Sequence, residues 1–288
     1  MSLEVAKMLV YGALHGLSTY IKPGGLHRLK PERLYDEVAC NLIIAIDGFT
    51  AAYEEGELVR KGSKALTSVE LGRLVAKTYR EVYRVCGAVH PEYFTPIMVS
   101  SIALAHSGVE SILSDPGRFK RSLDAVVMSG KWSDIKHYID TLRSIGRSDM
   151  SDHLTSTGLT QISLVQAGAS YADVFRVLGA KWPGFTLLDP RENLLVNSLK
   201  KLVEYYKRAR DSGSAVILLY LDLLEGKLSE RHRKLVEEAR NLGLMKTQDG
   251  ARRLYELDIT LRKDNISFNS VVEQVVNIAA LGALEGVR

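Results

Sequence analysis

The chain has two cysteines in 288 residues and no CxxC pair. That is too few for a disulfide scaffold, and it suggests neither a zinc ribbon nor a redox pair. Cys40 and Cys86 each fall in an apolar helical stretch and read as two buried thiols. Long apolar runs are also lacking, since none approaches the roughly 20 residues that cross a bilayer. Val5 to Leu17 has neither a basic flank nor a small-residue cleavage site, so it does not read as a secretory signal. A cytoplasmic location is expected. A large charge excess is lacking too: 38 Lys and Arg stand against 34 Asp and Glu. That balance is too even to imply nucleic acid, and it is compatible with anionic small molecules. No GxGxxG, Walker A, HExxH, GxSxG or kinase signature occurs, which removes the most readily recognised enzyme classes. Long apolar–polar alternation is missing as well, which leaves little room for strands.

What is present is helical periodicity. Leu34 to Glu54 reads as one helix with Leu34, Val38, Leu42, Ala45 and Phe49 on a stripe. Ser68 to Cys86 reads as another, capped by Ser68. Tyr93 to Ser107 is apolar on all faces and reads as a central buried helix. Phe119 to Met128 and Trp132 to Ile145 are shorter amphipathic helices. Arg147 to Thr160, rich in Ser, Thr, Asp and Gly, reads as a mobile loop or the start of a helix. Tyr171 to Leu178 is helical. Pro190 to Asp211 follows, with Asp189 as cap and Pro190 at its first position. Ala215 to Leu224 is a second very apolar run, read as helix. Glu230 to Leu242, Asp249 to Lys263 and Ser270 to Glu285 complete the set. The expectation is an all-α, single multi-helix domain over 1–288, with about ten or more helices and two buried central ones.

Where Val5 to Leu17 ends, the chain reads Ser18-Thr19-Tyr20-Ile21-Lys22-Pro23-Gly24-Gly25-Leu26-His27-Arg28. Pro23 stops a helix, and Gly24 and Gly25 permit positive φ and leave backbone N–H groups bare. Lys22, His27 and Arg28 surround them with positive charge, a set suited to a phosphate. The plainer alternative is a helix stop and a solvated basic loop.

Other constellations are weaker. His15 and His27 flank this loop. His90-Pro91-Glu92 opens the central helix as a titratable pair beside free N–H groups, either a metal-bridged or phosphate-facing site or ordinary capping. Asp152 and His153 are adjacent, so a helix would turn them to different faces. Asp222 and Glu225 would share a helical face, read as solvated acids at a helix end, with Mg²⁺ held through water as the alternative. Glu273 sits in the first turns of the last, mostly apolar helix. Lys200, Lys201, Lys207, Arg208 and Arg210 form a basic face read as solvated, with too few aromatics beside it for nucleic-acid stacking.

Taken in order, these segments resemble the triphosphoribosyl-dephospho-CoA synthases, in particular their short archaeal relatives. The family's first motif runs roughly Glu-x-x-x-Tyr-Pro-Lys-Pro-Gly-x-Val-His-Arg, and Tyr20 to Arg28 matches its Tyr, Lys, Pro, Gly, His and Arg. The helix Tyr93 to Ser107 resembles the one after the family's Gly-Gly-Asn-Thr-His/Asn motif. Phe175-Arg176 to Pro183-Gly184 resembles a segment ending in Asn-Pro-Gly-Gly. Leu257, Asp258 and Arg262, with Ala279 to Gly286, resemble the last motif and helix.

The resemblance implies an all-helical protein that transfers a ribosyl unit from ATP to dephospho-CoA and releases adenine. It implies Mg²⁺ as cofactor, ATP as substrate, and a phosphorylated partner, either a nucleotide or a CoA precursor. Lys22, Gly24, Gly25, His27 and Arg28 would bind phosphate. Neither membrane nor nucleic acid is expected as a partner, and self-association into a homo-oligomer is left open.

The chain also departs from the pattern. The family's Glu falls on Gly16. Its Gly-Gly-Asn-Thr-His/Asn motif is replaced around Gly87-Ala88-Val89-His90-Pro91-Glu92. Its Asn-Pro-Gly-Thr-Thr-Ala-Asp motif falls on Ser267 to Glu273. Either the catalytic site is rebuilt with His90, Glu92 and Glu273, or the chain is a non-catalytic helical scaffold or regulatory relative.

Overall fold

A computed structural model describes residues 1–29, 32–160, 165 and 168–288. Every regular element in it is helical. The α-helices are α1 (Ser2–Ser18), α2 (Arg33–Ile44), α3 (Ile46–Arg60), α4 (Leu71–Cys86), α5 (Thr95–Ser107), α6 (Pro116–Met128) and α7 (Trp132–Ser144). They continue with α8 (Ser148–Ser156), α9 (Tyr171–Gly179), α10 (Leu194–Ala209), α11 (Ser212–Glu225), α12 (Glu230–Asn241), α13 (Gln248–Lys263) and α14 (Asn269–Leu284). Short 3₁₀ turns lie at Leu66–Ser68, Pro91–Tyr93, Pro183–Leu188 and Leu244–Lys246. No helix among the described residues is long and apolar enough to cross a membrane.

One continuous apolar core runs from Ala6 to Val287. The mostly apolar sequences of α5 and α14 have little to give to water, and both helices are buried almost all round. Helix α11, expected to share that role, keeps Leu218, Asp222 and Leu223 half-exposed. α1 lies against α14, and α3 against α5. The first contact is a close backbone approach: a Cβ on Gly12 would sit 2.4 Å from the Ala279 carbonyl oxygen.

Several expectations need correction. The stretch Leu34 to Glu54 is two helices that break at Ala45. Val38, Leu42, Ala45 and Phe49 are all fully buried, and a bend that keeps the stripe on the core leaves the periodicity intact. Ser68 does not cap α4. It lies in a 3₁₀ turn, and the free N–H groups of Gly72 and Arg73 go to the carboxylate of Asp134 on α7, at 2.7 and 3.1 Å. A tertiary contact thus does the work of a local cap. Helix α10 starts at Leu194, not Pro190. Asp189 is held by the Arg191 backbone and side chain instead, and Lys120 takes the Pro190 carbonyl at 2.7 Å.

The segment Arg147 to Thr160 is largely helix, as α8. Met150 and Leu154, four apart, are fully buried. Thr155 satisfies its hydroxyl on the Ser151 carbonyl at 2.9 Å, a back-bond that lets a helix carry such residues. Finally, Cys40 and Cys86 are not thiols but a disulfide that joins α2 to the end of α4. Each is half-buried, and 46 residues separate them, a distance across which sequence gives no sign of pairing.

Candidate functional site

The expected phosphate loop is a buried junction. α1 ends at Ser18, and its last carbonyls carry the negative end of the helix dipole. Lys22, fully buried, folds back onto that end. Its ammonium donates to the carbonyls of Gly16, Leu17 and Thr19 at 3.0, 2.9 and 2.5 Å. Gly24 adopts φ 73°, which only glycine reaches without strain. Its N–H donates to Asp258 of α13 at 2.7 Å, and its carbonyl accepts from Phe268 N–H. Gly25 N–H closes a turn onto the Lys22 carbonyl, and the Gly25 carbonyl accepts from Arg262 at 2.8 Å. The Tyr220 hydroxyl donates to the Pro23 carbonyl at 2.7 Å.

His27 is also buried. Its Nε2 lies 3.3 Å from Asp258 and 3.3 Å from Arg262. Burial pushes the Asp258 carboxyl up, but donors from His27, Arg262 and Gly24 outweigh it and hold the group below the usual carboxylate range. Lys22, Gly24, Gly25 and His27 therefore meet other parts of the chain rather than solvent. Arg28 alone of the five is exposed. Its guanidinium sits over the Tyr20 ring, 4.2 Å from the centroid.

The three expected catalytic residues are brought together, in a separate network. His90 Nε2 lies 2.9 Å from Glu37 of α2, and its Nδ1 lies 3.6 Å from Glu92. The His90 backbone N–H donates to Asn41 at 2.7 Å. Arg147, at the head of α8, donates to Glu92 at 2.8 Å and to the Val89 carbonyl at 3.1 Å. Glu273 accepts from Gly184 N–H at 2.9 Å. Asn277 ties both acids down, donating to the carbonyls of Glu92 and Glu273 at 2.9 and 2.7 Å.

The two acids sit in opposite states. Burial pushes Glu92 up, but His90 and Arg147 prevail and keep it ionised. Burial, then the charge of Glu92, push Glu273 up to about 9, so it is neutral near pH 7. His90 is pushed down by burial but held up by Glu92 and Glu37. Arg147 and Glu37 had no signal in the sequence, because their partners lie far along the chain.

The remaining candidates are structural. Asp152 pairs with Arg143 at 3.1 Å and His153 with the Val177 carbonyl at 3.2 Å, in different directions. Asp222 is taken by Tyr205, Lys201 and Arg240, while Glu225 is exposed. Lys200, Lys201, Lys207, Arg208 and Arg210 are all exposed. Among the described residues, no trio of His, Cys, Asp or Glu is placed to hold a metal ion.

Arg28 faces a polar cavity of about 350 Å³. One wall is the end of α1 and the segment after it, with His15, Ser18, Thr19 and Tyr20. The other is the start of α11, with Asp211, Ser212, Gly213 and Ser214. Asp211 caps α11 by accepting from Ser214 N–H at 2.6 Å. Burial pushes the His15 imidazole down, which favours its neutral form. Among the described residues, no carboxylate forms an ion pair with Arg28. No family model, curated protein or solved structure matches this chain.

Proposed function

We propose that the chain binds a phosphorylated small molecule, a nucleotide or CoA precursor, in the cavity between the end of α1 and the start of α11. The observation that carries this reading is the exposed Arg28 guanidinium at a polar cavity of about 350 Å³, within the size range of ligand sites. Arg28 would take the phosphate through paired charge-assisted hydrogen bonds. Tyr20 would offer an aromatic face. Asp211 and the hydroxyls of Ser18, Thr19, Ser212 and Ser214 would take the ligand's hydroxyl or amino groups. Any Mg²⁺ would arrive on a polyphosphate rather than in a cage of protein ligands.

In this reading the protein is a transferase related to the triphosphoribosyl-dephospho-CoA synthases. Segments quoted for that resemblance meet in space: Gly24 with Asp258, and Gly184 with Glu273. Lys22, Gly24, Gly25 and His27 shape the site from behind, and Arg28 touches the ligand. A cytoplasmic setting belongs to this reading, while the Cys40–Cys86 disulfide is of a kind that forms most readily in oxidising compartments.

The test is thermal unfolding of the intact protein with ATP or dephospho-CoA, with and without Mg²⁺. A raised midpoint that disappears in Arg28→Ala supports the reading. No shift with any nucleotide or CoA compound at millimolar concentration rejects it.

The alternative is a non-catalytic helical scaffold or regulatory protein. It is favoured by the internal use of the loop's donors, Lys22 Nζ and the N–H groups of Gly24 and Gly25. Release of adenine from ATP in the presence of an acceptor would exclude it.

A further inference from the structure

We infer that Glu92 and Glu273 hold one proton between them, and that losing it releases the junction where the Pro91–Tyr93 turn, the Pro183–Leu188 turn and the first turns of α14 meet. The charges at this junction do not balance without that proton. Glu37, Glu92, Asp149 and Glu273 contribute four carboxyls. Arg147 serves Glu92 and Asp149, at 2.8 and 3.0 Å. His90 lies between Glu37 and Glu92. Arg33, the partner of Glu37 on the solvent side, is 90% exposed. Among the described residues, no cation forms an ion pair with Glu273. Among the described residues, its carboxyl hydrogen-bonds only the N–H of Gly184.

The groups facing Glu273 can be followed element by element. The Pro91–Tyr93 turn brings Glu92 and the Tyr93 phenol, and Arg147 stands at the head of α8. Lys227, after α11, acts on Glu273 only through its charge. The buried positions of α1, α5 and α10 carry no ionisable group. Among the buried residues of α11, Tyr220 points its hydroxyl at Pro23 instead.

The packing leaves no slack. A Cβ on Gly184 would lie 2.2 Å from the Glu92 carbonyl oxygen and 3.3 Å from the Glu273 Cβ, so the two turns touch backbone to backbone. Asn277, 1% exposed and one helical turn beyond Glu273, has a buried Oδ1 without a hydrogen-bond partner. That oxygen is an acceptor on the same helix face as the neutral acid.

His90 lies between the buried Glu92 and the more accessible Glu37. On deprotonation the O–H bond of Glu273 breaks and its electron pair stays on the carboxylate. The proton passes to solvent. Two buried carboxylates then remain at one junction, in a medium of low polarity where like charges repel strongly. Opening the junction to water relieves that repulsion.

The test is hydrogen–deuterium exchange of the full chain across neutral to alkaline pH, corrected for the intrinsic pH dependence of amide exchange. Residues 91–93, 183–188 and 269–277 should open about tenfold more for each pH unit from the ordinary carboxyl range up to about pH 9, and level off above it. Glu273→Gln, which keeps an acceptor for Gly184, should make that exchange independent of pH. An equal rise in both proteins, or none in the wild type, overturns the inference. Should the Gln variant fail to fold, infrared spectroscopy of the wild type decides. The carbonyl stretch of a buried protonated carboxyl should be present at neutral pH and vanish in alkali, and its absence at neutral pH overturns the inference.

Discussion

The Lys22–Arg28 loop and the Glu92–Glu273 junction both bury ionisable groups, and they neutralise them differently. At the loop, every buried charge meets an opposite charge or dipole. Lys22 faces three carbonyls at the negative end of α1. Asp258 meets Arg262, His27 and the Gly24 N–H. At the junction, Glu92 has Arg147 and His90, and Glu273 is left to a proton. The loop depends on the ionised form of Asp258 and loosens in acid, whereas a junction completed by a proton loosens as that proton is lost. The only cation of the loop that is not used in this way, Arg28, is the one exposed to a cavity.

The largest expected effect is at Lys22. Lys22→Met leaves three carbonyls without their donor in a buried site, and should cost about 3–4 kcal/mol in chemical denaturation. A loss below about 1 kcal/mol would mean that the loop is not held from α1.

Next comes Glu273. Its acid is harder to ionise in the folded chain than in the unfolded one, so the folded state binds the extra proton. Stability from this group is complete below about pH 4.5 and declines as pH rises toward about 9, by up to ~1.4 kcal/mol per pH unit. Glu273→Gln should remove that decline and stabilise the protein by about 2–3 kcal/mol at neutral pH. Parallel stability curves for the two proteins would break the contrast.

Asp258 should show the opposite sign. Its folded carboxyl lies below its ordinary value, so its stabilisation is present above that value and is lost as pH falls through the folded one. Asp258→Asn should cost about 2 kcal/mol at neutral pH and remove this part of the acid sensitivity. The smallest effect on stability belongs to Arg28→Ala, within ~0.5 kcal/mol.

Much of this was legible in sequence. Apolar stripes placed most helices, and α5 was readable as buried because none of its faces is charged before His106. The loop, His90-Pro91-Glu92 and Glu273 all stood out. What periodicity could not carry was the direction in which a polar side chain points. Lys22 reads as a free cation next to two glycines, and turns inward only because the end of α1 offers it carbonyls. Asp134 replaces Ser68 at the start of α4 from a helix more than sixty residues away. Arg147 reaches Glu92 across 55 residues. The Cys40–Cys86 bond and the break at Ala45 are likewise decided by packing, not by local pattern.

The division of labour within the loop is tested most directly by titrating ATP and dephospho-CoA, with Mg²⁺, into the wild type and Arg28→Ala by calorimetry. Saturable binding by the wild type and a loss of about 10–100-fold in the variant, with its melting midpoint unchanged, are the predicted results. Equal affinity in both proteins, or no binding by the wild type, would contradict the account.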